Sequence, residues 1–118
     1  MTGRPQQGRR GSLPAVVGAR PQARQGLTSD EIAARLRDQG DRCMICRQHI
    51  TASEAQVDHD HALAATHPHP VHQGCRACFR ALLCGPCNRM LGHAHDDATI
   101  LMAAASFLRY WRTRHPLP

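Results

Sequence analysis

Lysine is absent from this chain of 118 residues, and aromatic residues are scarce. All 15 basic residues are arginine, and the aromatic residues are one Trp, one Tyr and two Phe. Because large apolar side chains are few, the hydrophobic core is expected to be thin, and small domains of this kind commonly need a cross-link. Six cysteines are available to provide it, either as disulfides or as metal ligands.

Long apolar runs are also lacking. The stretch at residues 13–19 is too short for a secretion signal, and Pro14 and Gly18 interrupt it. No run is long enough to span a membrane. We therefore expect a cytoplasmic protein with no membrane partner, in which a reducing environment keeps the thiols free to bind metal.

Acidic residues are outnumbered by basic ones, and the formal net charge is +6. Arginine binds phosphate as a planar, two-pronged donor, so the expected partner is a nucleic acid or another polyanion; the alternative is a solvated basic surface. Residues 1–26 contain no acidic residue and are rich in Arg, Gly, Pro and Gln. This composition predicts a disordered basic arm, or a dispensable tail, before a folded domain at residues 27–118.

Helix and strand patterns both occur in the predicted domain. Thr28 and Glu31 have the spacing of a capping box, which predicts the start of a helix that Gly40 ends. The other predicted elements are strands at residues 56–61 and 79–83, a helix at 86–91 stopped by Gly92, and a helix at 98–112 capped by Asp96 or Asp97. The apolar face of the last helix consists of Ile100, Leu101, Ala104, Ala105, Leu108 and Trp111. The fold class is therefore small α+β.

Two Cys-x-x-Cys pairs, Cys43 with Cys46 and Cys84 with Cys87, have the spacing of zinc knuckles. The two-residue gap lets both sulfurs reach one ion from a tight turn, and two such pairs make a closed tetrahedral site of four thiolates. A closed site has no open position for water, so this zinc is expected to be structural. It should contribute on the order of 10 kcal/mol to folding.

A third pair, Cys75 with Cys78, lies in a long loop that also contains His67, His69 and His72. This pair competes with the second knuckle for the first zinc, or stays as free thiols beside solvated imidazoles, or joins two of the histidines in a second zinc site. For the second zinc site, we take His69 and His72 as the candidate histidine ligands.

A run of carboxylates and imidazoles, Asp58-His59-Asp60-His61, lies between the knuckles. Asp58, together with Asn88 beside a knuckle cysteine, offers oxygen ligands that suit Mg²⁺ or Mn²⁺. His59 can accept a proton from water near neutral pH, and Asp60 and His61 are placed to orient the first two residues. Neighbouring side chains of a regular strand point to opposite faces, so Asp58 and His59 share a site only if the strand ends or twists there. The alternative is a polar strand or a further metal cluster without catalysis.

These motifs together resemble the recombination endonuclease VII family of HNH, or His-Me finger, nucleases. The motifs are Cys-x-x-Cys, Val-Asp-His-Asp-His, Arg-Ala-Leu-Leu-Cys-x-x-Cys-Asn and the later Leu-Gly and Asp-Asp, over about residues 40–110. The resemblance implies a zinc-stapled ββα-metal core with flanking helices. It also implies His59 as general base, Asp58 and Asn88 as ligands of the catalytic metal ion, and His61 as an auxiliary site residue.

The function implied by the resemblance is metal-dependent cleavage of DNA, as a nick or a double-strand break. His59 would activate a water molecule, and Mg²⁺ or Mn²⁺ would stabilise the developing charge. Arg80, Arg89 and the basic arm would hold the DNA backbone. The alternative is a non-catalytic, zinc-stabilised module that binds nucleic acid. The oligomeric state stays open, with a homodimer as one arrangement.

Overall fold

A computed structural model of the protein describes residues 23–70 and 73–118. Residues 1–22, which form most of the predicted arm, lie outside the described residues, as do Val71 and His72. The described elements are β1 (Ala23–Arg24), β2 (Leu27–Thr28), α1 (Ser29–Asp38), β3 (Gln56–His59), α2 (His61–Ala64), a 3₁₀ turn (Arg76–Cys78), β4 (Phe79–Leu83), α3 (Gly85–His93) and α4 (Ala98–Arg114). They form a small α+β fold, as predicted.

Helix α1 begins at the predicted capping box. The Thr28 hydroxyl accepts a hydrogen bond from the Glu31 N–H at 3.2 Å, and the Glu31 carboxylate accepts one from the Thr28 N–H at 2.9 Å. Two N–H groups at the start of the helix are thereby satisfied. Gly40 follows the helix with a φ of 72°, a left-handed conformation that ends the helix as predicted.

A short hairpin precedes α1 and packs against the loop before β4. β1 lies within residues 1–26, so part of the segment predicted to be disordered forms a strand that pairs with β2. A Cβ on Gly26 would lie 2.6 Å from the Cys75 Cα, and one on Gly74 would lie 2.9 Å from the Gln25 carbonyl oxygen. The hairpin turn and the loop are therefore in backbone-to-backbone contact, which leaves no room for a side chain at either glycine.

Strands β3 and β4 form an antiparallel pair, with Val57 opposite Leu82. The bounds predicted for β4 are confirmed. β3 ends at His59, two residues earlier than predicted, because Asp60 starts a helix: its carboxylate accepts a hydrogen bond from the Leu63 N–H at 3.1 Å and caps α2. The predicted long loop at residues 62–78 thus contains most of α2 and the 3₁₀ turn.

The core lies between α1 and β4, where Ile32 and Leu36 pack with Leu82 and Leu83. A buried glutamine, Gln39, adds hydrogen bonds to the edge of this strand. Its amide group donates to the Leu82 carbonyl and accepts from the Leu82 N–H, both at 2.9 Å. Gln39 therefore pairs with β4 as a neighbouring strand would, and satisfies backbone groups that are shielded from water.

Helix α3 is longer than predicted, because it continues through Gly92 to His93. The prediction that Gly92 stops the helix was wrong. The chain turns later, at His95 and Asp96, whose φ angles are 54° and 58°. His95 and Asp96, and not Gly92, therefore provide the left-handed residues at which the chain changes direction after α3.

Helix α4 is capped by Asp97, whose carboxylate accepts a hydrogen bond from the Thr99 N–H at 2.8 Å, and it continues to Arg114. None of its residues is buried, so the predicted apolar face is largely exposed to solvent. Trp111, for example, is 49% exposed. No helix in the described part of the chain is long and apolar enough to cross a membrane.

Candidate functional site

A cleft of about 730 Å³ is bounded by the β3–β4 pair, by α3 and by the segment that joins α3 to α4. Its walls include five of the six residues predicted for catalysis or phosphate binding, namely Asp58, His59, His61, Arg80 and Asn88. The structure therefore brings the four predicted catalytic residues into one cavity. Arg89, the other predicted phosphate-binding residue, is exposed on α3 and is not among the residues that line the cleft.

A β-bulge explains how Asp58 and His59, which are adjacent in sequence, both reach this cleft. Asp58 pairs with Ala81, but His59 pairs with Phe79, so Arg80 is an extra residue on β4. A bulge of this kind interrupts the strict alternation of side chains. Asp58 and His59 are 8% and 7% exposed, and both line the cleft. The strand distortion that lets Asp58 and His59 share a site is therefore the bulge on β4.

The bulge residue Arg80 is bound by two carboxylates. Its guanidinium donates to both oxygens of Asp58, at 2.7 and 3.0 Å, and to both oxygens of Asp96, at 2.9 and 2.8 Å. These hydrogen bonds from Arg80 lower the pKa of the Asp96 carboxyl, and charges on Arg80, His61 and His59 act in the same direction. They also occupy most N–H donors of the guanidinium. Arg80 therefore orders the carboxylates of the cleft, and the phosphate contact that the sequence predicts for it stays a prediction.

Asp96 lines the cleft, although the sequence predicts it only as a helix cap and as part of the Asp-Asp motif. The cap is Asp97, and Asp96 lies in the left-handed region, which aspartate tolerates better than most residues. This placement lets Asp96 reach Arg80 from the α3–α4 segment. The signal in the sequence was the Asp-Asp pair itself, because only one of its two carboxylates can cap the helix.

Two of the three histidines that line the cleft, His59 and His61, are in edge-to-face contact. The ring centroids of His59 and His61 are 4.6 Å apart, with an angle of 86° between the ring planes. His59 is buried and His61 is exposed, so the pair leads from the floor of the cleft to solvent. Asp60 lies between them in sequence and caps α2, and its predicted role in orienting the site residues stays a prediction.

Asn88 reaches the cleft from the first turns of α3. This helix starts at a knuckle, where the Cys84 Sγ accepts a hydrogen bond from the Cys87 N–H at 3.4 Å. The side-chain amide of Asn88 is partly buried and makes no hydrogen bond to any other residue within 23–70 and 73–118. It is therefore available to a ligand in the cleft.

The four knuckle cysteines, Cys43, Cys46, Cys84 and Cys87, form a cluster that could hold zinc. Their Sγ atoms all lie within 4.8 Å of one another. The Sγ atoms of Cys46 and Cys84 are 3.8 Å apart. A tetrahedral ion with Zn–S bonds of ~2.3 Å places its sulfurs about 3.8 Å apart, so this spacing fits zinc.

Burial, backbone hydrogen bonds and neighbouring thiols all shift the pKa values of these cysteines. Burial raises the pKa of Cys87 to about 12, and the side chains of Cys84, Cys43 and Cys46 add to the rise. Burial also acts to raise the pKa of Cys43, but hydrogen bonds with the backbone of Cys84, Cys46 and Ile45 prevail and lower it to about 6. Four thiolates this close repel one another, and a divalent cation relieves that repulsion.

A second cluster that could hold zinc consists of His67, His69, Cys75 and Cys78, whose ligand atoms also lie within 4.8 Å of one another. Its two cysteines belong to this cluster, and do not compete for the first one. His69 is placed as predicted, and the second imidazole is that of His67. His72, which we had chosen for this position, lies outside the described residues.

The chain is similar to a known family of proteins. The family model described as recombination endonuclease VII matches residues 18–110, a segment that contains the cleft and both cysteine clusters. Searches of curated proteins and of solved structures found no significant match.

Proposed function

Because the chain belongs to the recombination endonuclease VII family, we propose that it is a metal-dependent endonuclease that hydrolyses the phosphodiester backbone of DNA. The family implies a nuclease and a nucleic acid substrate. DNA as that substrate, an HNH-type mechanism and the roles of single residues are our inference. The observation that carries it is the shared cleft of Asp58, His59 and Asn88, which the bulge makes possible.

His59 is the proposed general base. It takes a proton from a water molecule as the water oxygen attacks phosphorus. The bond from phosphorus to the 3′ oxygen breaks, and the leaving 3′ oxygen takes a proton from solvent. The products are ends with a 5′ phosphate and a 3′ hydroxyl. Burial at 7% exposure holds the His59 ring in one place, and exposed His61 is positioned to contact a substrate phosphate at the mouth of the cleft.

Asp58 and Asn88 are the proposed ligands of a Mg²⁺ or Mn²⁺ ion. An ionised carboxylate has two oxygens that each accept more than one contact, so the bonds from Arg80 leave Asp58 able to bind an ion. The Asn88 amide has no competing partner among the described residues. Carboxylate and amide oxygens suit these hard cations. When bound, the ion would stabilise charge on the phosphate and on the leaving oxygen.

The four knuckle cysteines are the proposed ligands of a structural zinc ion. The site joins the segment before β3 to the start of α3, and α3 carries Asn88. Zinc would therefore fix the start of α3, and with it the Asn88 wall of the cleft, relative to that segment. Since all four positions are taken by thiolates, this ion takes no part in the chemistry.

A non-catalytic, zinc-stabilised module that binds nucleic acid is the second candidate. The observation in its favour is the two-pronged ion pair between Arg80 and buried Asp58, an arrangement that would also suit a structural carboxylate. In that case the cleft would bind a nucleic acid backbone and leave it intact. Dependence on an added divalent ion distinguishes the two candidates.

The test is nicking of supercoiled plasmid by zinc-loaded protein, with and without added Mg²⁺ or Mn²⁺. His59→Ala is compared with His93→Ala, which removes an exposed imidazole of α3 outside the cleft. We expect ion-dependent nicking by the wild type and the His93 variant, and a loss of about 10²–10⁴-fold in the folded His59 variant. DNA binding without cleavage, by all three proteins and under all ion conditions, would favour the binding module.

A further inference from the structure

We propose that His67, His69, Cys75 and Cys78 bind a second zinc ion, and that this ion anchors the hairpin and the α2–β4 loop beside the cleft. Zinc binding at this site does not depend on nuclease activity. The ion would give a structural role to a loop that the proposed reaction does not use.

The two sulfur-to-nitrogen distances of the cluster fit a tetrahedral zinc ion. The Cys75 Sγ lies 3.3 Å from the His67 Nδ1, and the Cys78 Sγ lies 3.7 Å from the His69 Nε2. Zn–S bonds of ~2.3 Å and Zn–N bonds of ~2.0–2.1 Å imply S···N distances of about 3.5 Å at the tetrahedral angle, between the two observed values. The two imidazole rings are 5.4 Å apart and inclined at 68°, so they do not stack on each other.

The second nitrogen of His69 has the partner that zinc-binding histidines usually have. Its Nδ1 lies 2.9 Å from the Pro70 carbonyl oxygen, to which it can only donate. The Nε2, which faces Cys78, then carries the lone pair. A backbone carbonyl that fixes the tautomer in this way is the common outer partner of a metal-ligating imidazole.

The two sulfurs are arranged as ligands and not as a disulfide. The Cys75 and Cys78 Sγ atoms are 3.3 Å apart, well beyond the ~2.05 Å of an S–S bond and below the about 3.8 Å of an ideal tetrahedral pair, so binding of zinc would move them slightly apart. The Cys78 Sγ also accepts a hydrogen bond from the Cys75 N–H at 3.1 Å. A donor of this kind stabilises a thiolate, as at the Cys84–Cys87 knuckle.

The position of the cluster indicates what the ion would hold. Cys75 and the adjacent Gly74 touch the hairpin turn at Gln25 and Gly26, with no space for a Cβ between them. In the same 3₁₀ turn, Arg76 donates to both carboxylate oxygens of Glu31 on α1, at 2.6 and 2.9 Å. The cluster therefore joins the loop to two elements that are distant in sequence.

The other side of the cluster adjoins strands β3 and β4 of the cleft. The Cys78 carbonyl accepts a hydrogen bond from the Asp60 N–H at 2.7 Å, and the next residue, Phe79, is the bulge partner of His59. Arg24 and Gln25 of the hairpin also line the cleft. A second zinc would thus hold the hairpin wall of the cleft and the end of the bulge in one rigid arrangement.

The experiment measures zinc bound to the full chain after exhaustive dialysis, by mass spectrometry of the metal. We expect about two zinc ions per chain, one for each cluster. The double variant His67→Ala/His69→Ala should retain about one ion, and His93→Ala about two. His67→Cys, which keeps four ligands in a three-thiolate site, should also retain two and show stronger sulfur-to-metal absorption when loaded with Co²⁺.

Alkylation of the wild-type thiols gives a result that does not rely on the folding of a variant. We expect Cys75 and Cys78 to resist iodoacetamide in the zinc-loaded protein and to react after chelation. One ion per chain with these two thiols reactive would overturn the proposal. A mass lower by two hydrogens, with the missing reactivity at these two cysteines, would overturn it in favour of a disulfide.

Discussion

If the protein is the proposed nuclease, Asp96→Asn should lower its rate of DNA cleavage and raise the Mg²⁺ concentration that it needs. Arg80 is held from two sides, by Asp58 inside the cleft and by Asp96 at its edge. A neutral residue 96 removes one of these attractions. The guanidinium is then drawn more strongly to Asp58, where it competes with the ion for the carboxylate. Asp96 is thus expected to act as a positioning residue through Arg80.

The magnitude follows from the two hydrogen bonds that Asp96 accepts, at 2.9 and 2.8 Å. A charge-assisted bond contributes about 1.5–3 kcal/mol when well shielded. The Arg80 and Asp96 side chains are 35% and 23% exposed, so screening by solvent reduces the total to about 1–2 kcal/mol. Since about 1.4 kcal/mol is a factor of ten, kcat/KM should fall by roughly 5–30-fold.

The assay is the rate of plasmid nicking at increasing Mg²⁺ concentrations, with Asp97→Asn as the matched control. Asp97 is the next residue, but it caps α4, and asparagine caps a helix about as well as aspartate. We expect Asp96→Asn to need more Mg²⁺ for its half-maximal rate and Asp97→Asn to behave as wild type. An Asp96 variant with the wild-type rate and Mg²⁺ dependence would refute the reasoning, and so would an equal loss in both variants.

Three further predictions concern stability, measured by unfolding in urea. The first two are tested with zinc in excess. Gln39→Leu leaves the buried Leu82 N–H unsatisfied and should cost about 1–3 kcal/mol, whereas Gln48→Leu at an exposed position should change little. Gly26→Ala should destabilise, because φ is 85° and the new Cβ meets backbone atoms. Gly92→Ala, with nothing within 4 Å of its Cβ, should stabilise the helix by roughly 0.5–1 kcal/mol. Equal changes within either pair would contradict the packing described. Removal of zinc by a chelator should abolish cooperative unfolding, and added zinc should restore it; a chelated protein with unchanged unfolding would show that metal does not stabilise the fold.

Features that depend on a few neighbouring residues could be predicted from the sequence. The capping box of Thr28 and Glu31 and the bounds of β4 are confirmed, and the knuckle cysteines lie in one cluster as expected. Cap geometry, strand propensity and the two-residue gap of a knuckle each act within about one turn or one strand. The family prediction, made from the same short motifs, is also confirmed.

Contacts between distant residues decided the rest of the site. The bulge at Arg80 depends on how β4 aligns with β3, and the Arg80–Asp58 pair joins residues 22 positions apart. The pairing of Gln39 with β4 spans 43 positions. The residues next to Arg80 and Gln39 in sequence do not indicate these contacts, because the side chain of an arginine or a glutamine can form the same hydrogen bonds at any position.

The sequence by itself determined which groups are present to bind metal, accept protons and start helices. Only the tertiary structure decided that Asp96, and not Asp97, enters the cleft, and that His67 joins His69 at the second cluster. The physical reason is that hydrogen bonding and metal ligation depend on distance and direction to within a fraction of an ångström. Those quantities are set by the packing of whole strands, turns and helices against one another.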